Sequence, residues 1–196
     1  VLSSSSTDDA FAAAFLREAK VLVPGIDSAS LDFIALFECL DERTKEQVVI
    51  EVASKIIRYL IITFDPSKGM CNNFYVPASV LSLLFQCAAK CCAQKQFAVK
   101  TNKRLHVIAS VNGNFPLLLK NVRETNILAY PALTSLGFAV VITGNYSIGP
   151  HTFECTTFVA ALQLIFPDSV ILLRGIDDQR VRNGDWSICQ DTTLFY

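Results

Sequence analysis

The sequence predicts an α/β fold: a small parallel sheet with helices packed on it, preceded by a helical N-terminal region. Two observations carry this prediction. Three short apolar runs of β-type, LHVIAS (105–110), FAVVITG (138–144) and SVILLRG (169–175), alternate with two apolar helical stretches, and continuous apolar strands separated by helices mark a parallel sheet. The first 70 residues hold no such run and show helical spacing instead. At 196 residues the chain suffices for one domain with a sizeable core, or for a smaller domain with a helical annex.

Taken in order, the chain opens on a serine run at 3–6, and Asp8 and Asp9 then start an alanine-rich helix over 9–20, with acids in the first turn. VPGIDS (23–28) breaks that helix, and Asp27 or Ser28 caps a second one running through Leu40. A third is expected over about 42–64, where Val48, Val49, Val52, Ile56, Tyr59 and Leu60 form one apolar face. Pro66 and Gly69 in DPSKG end it. The reading therefore divides the chain into a helical region, 1–70, and an α/β region, 71–196. The second region begins with a helix over 77–95, whose Pro77 falls in the first turn where its missing N–H costs nothing. Helices FPLLLKNVRET and TFECTTFVAALQLIF then connect the three strands. Both faces of the sheet are expected to be buried, with right-handed crossovers. Ligands in such sheets bind at the strand ends, here 110–113, 144–149 and 175–178.

Composition narrows the function. Seventeen basic and 18 acidic residues give a net charge of −1, which speaks against a nucleic-acid-binding face. Hydrophobic residues make up 52% and charged ones only 18%. Burial against protein partners would relieve so apolar a surface. No membrane span is expected, because Lys55, Arg58, Gln86 and Lys90 interrupt the most apolar stretches short of the ~20 residues a span needs. VLSSSSTDD has neither the basic start nor the apolar core of a signal peptide, and without an initiator Met the chain is expected to be processed or to start late. Seven irregularly spaced cysteines then read as thiols in a reducing, cytoplasmic setting.

The strand ends carry a resemblance. Ala109-Ser110-Val111-Asn112-Gly113, Gly144-Asn145-Tyr146-Ser147-Ile148-Gly149 and Leu172-Leu173-Arg174-Gly175-Ile176-Asp177-Asp178 resemble, in order and spacing, three motifs of the phosphoprotein phosphatases. These are metal-dependent Ser/Thr phosphatases of the metallophosphoesterase fold, which read G-D-x-H-G, G-D-Y-V-D-R-G and L-L-R-G-N-H-E. The flanking PHTFECTTFVAALQLIFPDSVILLRG and VPASVLSLLFQCAAK are similar too, so the likeness covers about 76–178. It implies a truncated metallophosphoesterase-like core. In the family, the first motif's Asp and His bind one metal, the second motif's first Asp bridges two, and the third supplies an Asn ligand and an acid His. The matching positions here are Ser110, Asn112, Asn145, Ile176 and Asp177. The second motif is one residue short and lacks its Asp-Arg pair. Gly113, Gly144, Gly149, Arg174 and Gly175, with Tyr146, are retained.

The chemistry of these residues agrees with that comparison. A pair of divalent ions needs several carboxylates and imidazoles to offset its charge, and Ser110, Asn112 and Ile176 supply neither. Asn145, Asp177 and Asp178 could hold one Ca²⁺ or Mg²⁺ loosely, although an exposed acid pair is ordinarily solvated surface. No His follows His151 to serve as general acid. Other candidates have plainer readings. Cys87 and Cys91, with Cys92 beside them, are expected to pack as small hydrophobes on one helix. His106 is expected as a satisfied core or edge residue and His151 as a residue at a helix start. Asn145-Tyr146-Ser147 matches the glycosylation pattern by coincidence, and Lys100, Lys103 and Arg104 are ordinary surface.

The sequence thus leads to a pseudophosphatase with no catalytic, metal or cofactor residues and no small-molecule substrate. It would serve as a structural or scaffolding subunit of a larger cytoplasmic assembly, with a cytoskeletal, axonemal or flagellar complex as one candidate setting. Three alternatives stand beside it. One is a regulatory module binding phosphoproteins or an active phosphatase through Arg174 and Arg180. Another is a phosphatase rebuilt around Asp177 and Asp178. The third is a fragment of a longer phosphatase-like protein.

Overall fold

A computed structural model describes residues 40–65, 70–71, 76, 78–93, 102–146 and 148–175. The helix expected over 9–20 lies outside these residues, as does the one expected from Asp27 or Ser28 apart from its last residue, Leu40, and so do Ile176, Asp177, Asp178 and Arg180.

Helix α1, Glu42–Thr63, begins where the sequence supplies a cap: Thr44 N donates to Asp41 Oδ1 at 3.1 Å, and Thr44 Oγ1 to Asp41 Oδ2 at 2.6 Å. Its buried residues include Val48, Val49, Val52, Ile56 and Leu60, the stripe expected from helical spacing, while Tyr59 is half-buried. Two short antiparallel strands follow, β1, Phe64–Asp65, and β2, Met70–Cys71. Then come α2, Ala78–Ala93, and β3, Arg104–Ile108. Helix α3, Phe115–Glu124, is capped by Asn114, whose Oδ1 accepts from Leu117 N at 3.0 Å. It buries Phe115, Leu118, Leu119 and Val122, one face at i, i+3, i+4 and i+7. A short 3₁₀ turn, Ile127–Ala129, leads to β4, Phe138–Thr143; α4, Thr152–Ile165, and β5, Val170–Leu173, complete the order.

Strands β3, β4 and β5 form a three-stranded parallel sheet in sequential order, with Val107 opposite Val141 and Val141 opposite Ile171. The coarse class is therefore α/β. Helix α4 is buried nearly all round, because it is the centre of the molecule. It packs against β5 and α3 on one side and against α1 and α2 on the other. Phe115 meets Phe158 of α4 edge-on at 5.5 Å, and Phe64 meets Phe115 at 5.3 Å. Those contacts tie the end of α1 to both crossover helices, and the buried residues of α1, α2, α3, α4 and the sheet make one continuous core.

One expectation fails. Among the described residues, the sheet is not buried on both faces. Ile108, Val140, Ile142 and Val170 are buried on the helix side. On the other side, Leu105 is 50% exposed, Val107 61% and Leu173 47%, with Val141 and Ile171 half-buried between them. The reason is topological. Consecutive strands laid side by side in one direction, joined by crossovers of one hand, place both crossover helices on the same face. The Phe115–Phe158 contact puts α3 and α4 together there.

Candidate functional site

The C-terminal ends of the three strands converge, as the parallel arrangement requires, and backbone joins them. Gly113 N donates to Asn145 O at 3.1 Å, and His151 N donates to Gly113 O at 2.9 Å. Gly144 N donates to Leu173 O at 2.7 Å. The first loop thus hangs on the second, and the second on the end of β5. Such closeness needs glycine. A Cβ on Gly149, whose φ is +127°, would collide with the Asn112 carbonyl oxygen. A Cβ on Gly175 would collide with the Asn145 side chain and sit 2.5 Å from the Asn145 nitrogen. The retained glycines are where backbone meets backbone.

The expected ligand positions within the described residues are Ser110, Asn112 and Asn145. Ser110 and Asn112 are exposed and hold positive φ, 52° and 47°, a conformation asparagine tolerates better than most residues. Asn145 is half-buried and packed on Gly175. The fold therefore brings the described parts of the three strand ends together. The side chains it presents there can exchange hydrogen bonds, but Ser110, Asn112 and Asn145 carry no charge to offset a metal pair. Among the described residues no group of three or more His, Cys, Asp or Glu is arranged to hold a metal ion. Arg174 is exposed at the end of β5, and the acids that would complete a cation site with Asn145 lie outside the described residues.

Both histidines meet aromatic rings. His151 starts α4 without a side-chain capping bond and meets the Phe64 ring at 6.1 Å. His106 was expected to be satisfied and is not. It stacks edge-on against Phe138 at 5.2 Å, with Nε2 buried and unbonded among the described residues. The i, i+4 spacing of Cys87 and Cys91 does set both on one cleft, while Cys92 is exposed.

Two features were missed. The open sheet face follows from sequential strand order with crossovers of one hand, an order that only the structure supplies. Gln163, fully buried in the last turn of α4, sits within an otherwise apolar run that disguised it. No family model, characterised protein or solved structure matches the chain, and no helix among the described residues is long and apolar enough to cross a membrane.

Proposed function

We propose that this chain is a catalytically inactive, phosphatase-like protein that serves as a structural or scaffolding subunit of a larger assembly, with a cytoskeletal or axonemal complex as its setting. The observation that carries the reading is the strand-end corner. Its loops are fastened backbone to backbone, and the side chains at the ligand positions there are Ser110, Asn112 and Asn145. Among the described residues, a corner built this way keeps its shape without presenting the carboxylates and imidazoles that metal-assisted hydrolysis uses. The assembly half of the reading is supported by the half-open apolar face of Leu105, Val107 and Leu173, since contiguous exposed apolar surface marks interaction sites.

The test has two arms. Purified chain is assayed against aryl phosphate and phosphopeptide with Mn²⁺ or Mg²⁺, and no turnover above the metal alone is expected. A photo-crosslinking residue in place of Val107 is expected to capture a protein partner in cells, while the same residue in place of exposed Lys120 on α3 is not. Metal-dependent turnover would overturn the inactive reading. A chain recovered as monomer with no crosslink from position 107 would overturn the scaffold reading.

A further inference from the structure

Away from the strand ends, the first turns of α1 and the last turns of α2 flank a cleft of about 570 Å³ over the C-terminal end of α4. Its walls are held in place. Gln163 Nε2 donates to Cys91 Sγ at 3.7 Å and so ties α2 to α4, and Lys45 Nζ pairs with Glu42 Oε1 at 3.0 Å on the α1 side. Glu46 and Lys90 are exposed at the rim, so their charges stay in water and the interior is apolar. Ile50, Leu164 and Pro167 are only half-buried there, and Leu133 is 51% exposed. Leu133 holds φ +59°, a left-handed conformation that leucine rarely adopts, and its N–H donates to Ile165 O at 2.9 Å. The loop is thus pinned to the end of α4 with a large apolar side chain lining the cleft and left half bare.

One segment of the chain is delivered to this cleft. Leu40, next but one to the cleft-lining Glu42, packs against the core, and Asp41 is extended, with ψ 158°, before α1 starts. A break this short between helical segments makes them antiparallel neighbours. Upstream, outside the described residues, the sequence places apolar residues at Ala29, Phe33, Leu36, Phe37 and Leu40, one face at helical spacing. That face ends on the residue seen packed. We propose that the cleft is the docking groove for this chain's own residues 29–39, with Phe33, Leu36 and Phe37 laid over Ile50, Leu133, Leu164 and Pro167. The space suffices, since a cavity of about 150 Å³ takes a benzene ring and this cleft therefore takes about three apolar side chains. The tether selects the occupant. A segment joined so closely is present at an effective concentration of about millimolar, which a second copy or a free partner does not reach.

The experiment uses the full chain, purified and dilute, with a photo-crosslinking residue in place of the exposed Leu133. Irradiated protein is separated by size and mapped by peptide mass. The expected product is a crosslink within one chain, to a peptide from residues 29–39, at a yield independent of protein concentration. Leu31 lies opposite the apolar stripe in helical spacing, so Leu31→Asp should leave that yield unchanged. Phe33→Asp with Phe37→Asp would bury two unpaired charges and should lower it about tenfold or more. The map of the chain without these aspartates decides by itself should the double variant fail to fold. A crosslinked dimer, a crosslink to any other segment, no crosslink at all, or equal yields from folded Leu31→Asp and double variants would overturn the proposal.

Discussion

Replacing Gly149 with alanine tests whether the strand-end loops are fastened as described. At φ +127° an L-residue is strained, and the added methyl would collide with the Asn112 carbonyl oxygen while lying 2.9 Å from its carbon and 3.0 Å from Gly113 Cα. All three obstacles are backbone, so no rotamer change relieves them. The conformation itself costs about 1–3 kcal/mol. Moving the loops apart also lengthens the bonds from His151 N to Gly113 O and from Gly113 N to Asn145 O, at about 1 kcal/mol each. The expected loss is therefore about 3–5 kcal/mol, a large part of the roughly 5–15 kcal/mol that stabilises a domain. With a urea slope of about 2 kcal/mol/M, the unfolding midpoint followed by circular dichroism should fall by about 1.5–2.5 M. Gly137→Ala is the control, because a Cβ there meets nothing within 4 Å, and its midpoint should barely move. A Gly149→Ala shift below about 0.5 M on the same slope would refute the account of the corner.

Two further outcomes test the same packing. Val107→Lys should change stability by no more than about 0.5 kcal/mol, whereas Ile142→Ala, on the buried face of the adjacent strand, should cost about 2–5 kcal/mol; a loss above about 1.5 kcal/mol for Val107→Lys in urea unfolding would mean that the face is covered. The side-chain and backbone bonds from Thr44 hold the Asp41 carboxyl below its ordinary value of 3.8. Its contribution is therefore complete above that value and disappears as pH falls through the lower, folded value. Asp41→Asn keeps a capping oxygen without titrating, so melting temperatures of the two proteins should converge or cross as pH drops below about 4, and parallel profiles would show that the cap is not coupled to pH.

Much of the fold was readable because it rests on local chemistry. The stripe from Val48 to Leu60 uses residues within a turn or two of one another, and the β-type runs needed no partner to be recognised. The apolar character of α4 was equally plain, although the same letters could not say that it would sit at the centre of everything. The site was legible only as three separate loops.

By itself, then, the sequence determined the helices, the parallel strands and the neutral chemistry of Ser110, Asn112 and Asn145. These depend on residue type and short spacing. Only the tertiary structure decided that Gly149 meets Asn112, that Gln163 stands behind Cys91, and that Leu105 and Val107 are left open. Each of those is set by which distant segments the packing brings together, and in the last case by two crossovers falling on one side of the sheet. An apolar strand is written the same way whether or not something covers it.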